Sequence, residues 1–164
     1  MEGRKNHSRI TFTDGGERIL YVAFKKLTAT AHEPTHGSSW AAGYDLYADI
    51  PTKILIEPGN MEIIKTNIAV EIPAGYFGGV YPRSGLSTKQ GLTLINCVGV
   101  VDADYRGDIR VPLINLSQSW QIIEPGERVA QLIIQPCKSI QWAEVKELSD
   151  TDRGSGGFGS TGRT

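Results

Sequence analysis

The sequence predicts an all-β domain that closes as a jelly-roll-like barrel or sandwich. Turn-forming prolines, glycines and asparagines recur at short intervals, and the runs between them are rich in β-branched and aromatic residues. No run has the apolar spacing of an amphipathic helix. Short strands at a spacing of roughly 8–12 residues are typical of sandwiches and barrels, and a jelly roll closes this many strands in one domain. A chain of 164 residues suits a single domain.

The predicted strands follow one another between these turns. The clearest alternation places Ile68, Val70 and Ile72 on one face of a strand, with smaller or charged residues between them. Only Gly85–Gly91 has room for a turn or two of helix. The predicted strands are Ile54–Glu57, Ile63–Thr66, Ile68–Ile72, Tyr76–Tyr81, Leu92–Val101, Ile109–Asn115, Trp120–Ile123, Val129–Gln135 and Ile140–Val145.

The two ends of the chain differ from the β domain predicted for residues 19–149. Residues 1–18 are polar and without periodicity, so we expect a flexible extension. Residues 150–164 are rich in glycine and serine, and such segments do not order by themselves. However, Phe158 offers a ring for stacking and Arg153 a guanidinium for phosphate. The segment is therefore either an idle tail or a lid that closes on an aromatic, anionic ligand.

Charge and cysteine content restrict the class of protein. Seventeen basic and eighteen acidic residues give a formal net charge of −1, so no strong field attracts nucleic acid or a membrane surface. No apolar run approaches the ~20 residues of a membrane span, and no secretory signal opens the chain. Cys97 and Cys137 are expected to be buried free thiols in a reducing compartment. We expect a soluble, intracellular protein whose three histidines lie on the surface.

Five segments contain polar residues that strand packing does not explain. In Pro82–Lys89, a guanidinium, several hydroxyls and backbone amides are suited to phosphate. Gly99–Asp108 is acidic and hairpin-like, but it is not a calcium loop, because Arg106 and Leu113 occupy ligand positions. Taken singly, each segment also has an interpretation as a turn, a strand edge or a surface ion pair. The five segments are Ala41–Ala48, Pro82–Lys89, Gly99–Asp108, Gly126–Ile133 and Arg153–Gly162.

In their order along the chain, these segments resemble the five signature motifs of the trimeric dUTPases. The matching stretches read AAGYDLYA, PRSGLS, GVVDADYRGDI, GERVAQLII and RGSGGFGSTG, and together they extend from residue 41 to residue 162. The resemblance implies hydrolysis of dUTP to dUMP and pyrophosphate. It also implies Mg²⁺ as the cofactor and a jelly-roll homotrimer with active sites at the subunit boundaries and a flexible C-terminal arm.

The resemblance further implies a role for each matching residue. Asp102 would be the catalytic residue that orients the attacking water and contacts the 3′-hydroxyl, and Asp45 would hold Mg²⁺ through water. Tyr105 would lie beneath the deoxyribose and leave no space for a 2′-hydroxyl. The implied uracil contacts are Asn96, Gly99 and Val100. The implied phosphate contacts are Arg83, Ser84, Gly85 and Gln131. The implied closing arm is Arg153, Phe158, Gly159, Ser160 and Thr161, with Phe158 stacked on uracil.

Departures from the family pattern and two alternative functions accompany this resemblance. Asn96-Cys97-Val98 replaces a stretch that is Gly-rich in many relatives, and Arg110 stands where a small or apolar residue is common, so it receives no role. A dCTP deaminase of the same fold would need a glutamate after the acidic loop, which residues 109–112 lack. A regulatory nucleotide-binding module is disfavoured because the catalytic and phosphate-binding motifs are intact.

Overall fold

The computed structural model describes residues 10–12 and 18–157. Within these residues there are fourteen strands and a single helix, so the prediction of an all-β fold is confirmed. The strands are β1 (Ile10–Phe12), β2 (Arg18–Leu20), β3 (Ala23–Lys26), β4 (Thr35–His36), β5 (Tyr44–Tyr47), β6 (Ile54–Ile56), β7 (Met61–Lys65), β8 (Ile68–Glu71), β9 (Tyr76–Tyr81), β10 (Leu92–Leu94), β11 (Gly99–Val101), β12 (Arg110–Asn115), β13 (Gln121–Ile123) and β14 (Arg128–Pro136). The helix α1 is Ser84–Gln90.

Antiparallel sheets carry the fold. The largest has five strands in the order β11-β9-β14-β5-β4, and a second has three in the order β10-β12-β7. The pairs β13-β6, β3-β8 and β1-β2 complete the described part of the chain. Neighbouring strands in the large sheet come from distant parts of the sequence, since β14 lies between β5 and β9. This crossing topology is what brings the polar segments of the sequence together.

One hydrophobic cluster joins the two larger sheets. Leu46 and Leu132 contribute from the five-stranded sheet, and Val111 and Leu113 from the three-stranded sheet. Along β12, buried positions alternate with partly or fully exposed ones, as in a strand with one face toward the core. Asn115 is fully buried at the end of this strand, and its amide donates to the carbonyls of Ile56 and Ser119, both at 2.8 Å. The buried polar group is therefore satisfied.

The carboxylate of Asp49, which lies just after β5, connects two other segments of the chain through hydrogen bonds. Asp49 accepts hydrogen bonds from the Thr28 hydroxyl and, at 2.8 Å, from the Asn67 amide. Burial raises the pKa of Asp49, but these hydrogen bonds lower it further, so that its pKa lies below the ordinary value. The charged carboxylate thus ties the segment before β4 to the turn between β7 and β8.

The predicted strand Leu92–Val101 is interrupted. Cys97 has a φ of +62° at a tight turn, where its N–H bonds to the Leu94 carbonyl at 3.1 Å. The two halves, β10 and β11, consequently lie in different sheets. The hairpin-like interpretation of Gly99–Asp108 is also wrong, because the strands on either side of this loop do not pair with each other. β11 pairs with β9, whereas β12 pairs with β7 and β10.

Two further expectations are corrected. Ile140–Val145 is not a strand, and Trp142 is 89% exposed, because no strand of the same chain pairs with this apolar segment within the described residues. The cysteines are free but exposed rather than buried, since Cys97 occupies the turn described above and Cys137 follows the end of β14. His32 and His36 are exposed, as predicted.

The structure also contains short strands that the sequence pattern did not reveal. β1 lies inside the predicted N-terminal extension and pairs with β2, whose first residue is Arg18. β3 is exposed at every position, so its sequence has no apolar alternation to detect. Among the described residues, no helix has the length and apolarity needed to cross a membrane.

Candidate active site

Nine residues from the predicted motifs and their neighbours line a cleft of about 190 Å³. We call it the arginine cleft, and its residues are Gly37, Ala41, Gly43, Asp45, Arg83, Ser84, Gly85, Arg128 and Gln131. They come from β5 and the loop between β4 and β5, from the segment after β9 and from β14, which are adjacent in the sheet or connect to its strands directly. The sheet order therefore brings three of the predicted motifs to one site.

At the centre of the arginine cleft, Asp45 holds two arginines. Its side chain is only 10% exposed; Oδ1 accepts from Arg83 Nε at 2.8 Å and Oδ2 from Arg128 Nη1 at 3.1 Å. Arg83 Nη1 also donates to the Arg128 carbonyl at 3.2 Å, which closes the network. Two guanidinium groups and one carboxylate leave a net charge of +1. The cleft is thus positive and its donors are fixed in direction, which suits a phosphate.

The start of α1 presents further donors to the arginine cleft. Arg83 precedes the helix in an extended conformation, with φ −96° and ψ 131°, so its side chain turns back toward Asp45 rather than capping the helix. Ser84 and Gly85 form the first turn and are exposed. The first amides of a helix lack partners within it and remain available to a ligand.

Gln131 is held against the wall of the same cleft. Its Nε2 donates to the Pro82 carbonyl at 3.0 Å. A Cβ atom on Gly43 would lie 2.5 Å from Gln131 Oε1, so only glycine leaves space for this amide. The close approach explains why glycine stands two residues before Asp45.

Arg128 is a site residue that the sequence motifs did not assign. In a regular strand, residues three apart point to opposite faces, which would separate Arg128 from Gln131. The pairing of β14 with β5 shifts register between Arg128 and Ala130, and this bulge places both side chains in the arginine cleft. The only features of the sequence that could have indicated Arg128 as a site residue are its charge and its place in the fourth motif.

A second cleft, of about 460 Å³, lies along β11 and the acidic loop that follows it. We call it the tyrosine cleft, and its residues are Val80, Asn96, Gly99, Val100, Val101, Asp102, Tyr105, Asp108, Ile109 and Arg110. Within the described chain β11 pairs only with β9 and forms the edge of its sheet. Backbone donors and acceptors on the outer side of an edge strand are free to read a planar heterocycle.

Asp102 directly follows β11, and its carboxylate is exposed at the tyrosine cleft. Its carbonyl accepts the Tyr105 N–H at 3.1 Å, which forms a turn and brings the tyrosine ring back toward the cleft. The cleft thus combines an edge strand, an aromatic ring and an accessible carboxylate. This combination suits a nucleoside and a water molecule activated beside it.

The predicted site residues divide between the two clefts. Asp45, Arg83, Ser84, Gly85 and Gln131 line the arginine cleft, and Asn96, Gly99, Val100, Asp102 and Tyr105 line the tyrosine cleft, with no residue in common. Arg153 lines neither, and its Nε donates to the Gly156 carbonyl at 3.0 Å. Phe158, Gly159, Ser160 and Thr161 lie outside the described residues.

Comparison with known protein families shows the family to which a chain with these two clefts belongs. The dUTPase family profile matches residues 29–162, which include both clefts. The chain belongs to the dUTPase family. The deoxyuridine 5′-triphosphate nucleotidohydrolase of Hydrogenobaculum sp. (strain Y04AAS1) is 47% identical over 143 residues, 87% of this chain and 99% of the relative. The deoxyuridine 5′-triphosphate nucleotidohydrolase of Syntrophotalea carbinolica is 43% identical over 145 residues, which are 88% of this chain and 99% of the relative.

Solved dUTPase structures share the fold. A variant of the Staphylococcus bacteriophage 80alpha dUTPase, in complex with dUpNHpp, has a TM-score of 0.80 and 30% identity, and covers 87% of this chain and 98% of its own. A variant of the dUTPase from phage phi11 of S. aureus, described with a structural Mg(II) ion, has a TM-score of 0.70 and 27% identity, with coverage of 77% and 97%. The predicted dUTPase fold is therefore confirmed.

Proposed function

We propose that this member of the dUTPase family hydrolyses dUTP to dUMP and pyrophosphate, which keeps uracil out of DNA and supplies dUMP for thymidylate synthesis. One observation carries the proposal. Every predicted site residue between Asp45 and Gln131 lies in one of two clefts, of which one suits a triphosphate and the other a nucleoside. Such a reaction on a nucleotide pool also favours an intracellular location.

In the proposed reaction, water attacks the α-phosphorus in line with the leaving group. A new oxygen–phosphorus bond forms, the bond from the α-phosphorus to the bridging oxygen breaks, and pyrophosphate leaves. Asp102 orients the water and accepts its proton. Arg83, Ser84, Gly85 and Gln131 hold the phosphates and neutralise their charge, which is the main protein contribution to phosphoryl-transfer chemistry. Arg128 holds the same network together through Asp45.

The donor set fits Mg²⁺ that is bound mainly by substrate phosphates and water. Among the described residues there is no group of three or more histidines, cysteines and acids that would form a protein cage. Each oxygen of Asp45 accepts from one guanidinium group, and the lone pair that remains on each can accept a hydrogen bond from metal-bound water. When bound, Mg²⁺ would neutralise negative charge on the triphosphate.

Base and sugar specificity are proposed to come from the tyrosine cleft. The backbone at Gly99 and Val100, together with Asn96, would read the uracil edge. Cytosine exchanges an acceptor for a donor at this edge, and a buried mismatch of that kind is strongly rejected. Tyr105 would exclude a 2′-hydroxyl, and Phe158 would stack on the base when the arm closes.

A homotrimer with sites at subunit boundaries is supported by two features of the single chain. The arginine and tyrosine clefts are separate, which accords with a site assembled from different copies. The outer face of the β7–β12 pair is apolar, because Met61 lies opposite Ile114 and Ile63 opposite Pro112, with both β7 residues exposed. Apolar sheet faces of this kind are usually covered by another chain.

Removal of residues 153–164 is expected to abolish most turnover and to leave the trimer intact. The proposed arm supplies the Arg153 guanidinium and the Phe158 ring, and its described residues, 153–157, are not part of the hydrophobic core, so we expect only closure over the substrate to be lost. Pyrophosphate release measures the first effect, and light scattering after size-exclusion chromatography the second. Full activity without the arm would make residues 153–164 an idle tail.

Product analysis tests the proposed function directly. We expect purified protein with Mg²⁺ to convert dUTP to dUMP and pyrophosphate in equal amounts, and to leave dCTP unchanged. Ammonia release from dCTP would indicate a deaminase. Binding of dUTP without any turnover would indicate a regulatory module on this fold.

A further inference from the structure

The Tyr105 ring is held in place by the residues that follow it. Its hydroxyl donates a hydrogen bond to the Asp108 carbonyl at 3.0 Å. The ring also crosses Gly107 so closely that a Cβ atom there would lie 2.4 Å from Tyr105 Oη and 2.6 Å from Cζ. Gly107 does not have a positive φ, so glycine is required at this position for space and not for backbone conformation.

The acceptor of this hydrogen bond is attached to the core. Ile109, the next residue, is buried, and its N–H donates to the Ile68 carbonyl at 2.9 Å. Its carbonyl accepts the hydroxyl of the buried Thr66 at 2.6 Å. Displacement of this backbone would leave buried polar groups without partners, which is costly. The Asp108 carbonyl is consequently a fixed point for the tyrosine hydroxyl.

The side chain of Asp108 also helps to hold this residue, and with it the carbonyl that accepts the Tyr105 hydroxyl, in place. It is only 9% exposed, and its Oδ1 is buried without a partner in the described chain. Its Oδ2 accepts from Arg110 Nε at 3.2 Å, while the arginine side chain is 57% exposed. A carboxylate this deeply buried needs a counter-charge to remain where it is. Arg110, to which the dUTPase motifs assign no role, supplies that charge at the rim of the tyrosine cleft.

We propose that Gly107 and the Asp108–Arg110 ion pair determine sugar specificity by positioning Tyr105. The inference rests on the proposed function, because it concerns the sugar of the same substrate. Exclusion of a competing substrate by lack of space changes the ratio of the two kcat/KM values by only about 10–200-fold, even in a well-formed pocket. If the Tyr105 ring could move away from a 2′-hydroxyl, most of this discrimination between dUTP and UTP would be lost. Gly107 lets the ring lie flat, the Asp108 carbonyl anchors its hydroxyl, and Arg110 holds Asp108.

The test is the ratio of kcat/KM for dUTP to kcat/KM for UTP. In Gly107→Ala the ring must move, so we expect the ratio to fall about tenfold or more. In Arg110→Ala we expect a fall of about threefold, because the ring loses only part of its support and with it only part of the discrimination of a steric pocket. Tyr105→Phe keeps the ring but removes its anchor and should also lower the ratio. Lys53→Ala is the matched control, because Lys53 is an exposed cation that lies outside the β7–β12 pair and lines neither cleft.

The outcomes separate this inference from the proposed function. A wild-type protein that hydrolyses dUTP, with variants that keep its dUTP-to-UTP ratio, would overturn the positioning role alone. A wild-type protein that hydrolyses neither nucleotide would overturn both. Arg110→Ala changes an exposed side chain, so it decides the question even where Gly107→Ala does not fold, as judged by circular dichroism. A ratio that falls in Arg110→Ala and stays constant in Lys53→Ala supports the proposal.

Discussion

Replacement of Asp102 by asparagine is expected to reduce kcat for dUTP by about 10²–10⁴-fold, the usual contribution of a positioned general base. Asparagine keeps the size of the side chain and its hydrogen-bonding capacity toward a 3′-hydroxyl, but it cannot accept the proton of the attacking water. The Asp102 side chain is exposed, so stability should change little. Pyrophosphate release under saturating dUTP measures the effect.

Asp104→Asn is the matched control for this prediction. Asp104 lies two residues further along the same loop, is equally exposed and does not line the tyrosine cleft. Both variants lose one negative charge in nearly the same place, so a general electrostatic effect would appear in both. We expect only Asp102→Asn to lose turnover, while its affinity for the non-hydrolysable analogue dUpNHpp remains. Comparable turnover in the two variants would contradict the water-activating role.

Strands with an apolar face could be predicted from the sequence, and exposed ones could not. Tyr76–Tyr81 is a strand with the predicted bounds, and the helix predicted within Gly85–Gly91 is α1, which begins one residue earlier. Ile140–Val145 has the composition of a strand, but pairing needs a free strand edge, and local composition does not contain that information. Cys97 interrupts a predicted strand through a left-handed turn that a non-glycine residue rarely adopts.

Motif order predicts candidate site residues one by one, but it does not predict the contacts between them. It points to Asp45, Arg83 and Gln131, whereas their grouping in one cleft depends on β14 lying between β5 and β9. The role of Arg128 depends on a bulge that reverses the expected direction of its side chain. The sequence pattern assigns no role to Arg110, because the burial of its partner, Asp108, depends on the folded loop.

Replacement of Asp45 by asparagine is expected to damage both stability and substrate binding. Arg83 and Arg128 would lose their shared counter-charge, and the free energy of unfolding should fall by about 1–2 kcal/mol, less than for a fully buried pair because both arginines reach solvent. The freed Arg83 would no longer point at the phosphate position. Misplacement of this kind can cost about 10²-fold in kcat/KM.

Glu71→Gln provides the matched control, since Glu71 forms an ion pair with Arg106 at 3.7 Å in which both side chains are at least half exposed. Exposed pairs contribute at most about 1 kcal/mol, and Glu71 lines neither cleft. Urea unfolding and steady-state kinetics on dUTP measure the two effects. We expect Asp45→Asn to raise KM and lower kcat, and Glu71→Gln to change neither. Wild-type kinetics in Asp45→Asn would mean that Arg83 finds its direction without the carboxylate, so the geometry of the arginine cleft would have to come from the backbone around α1 instead.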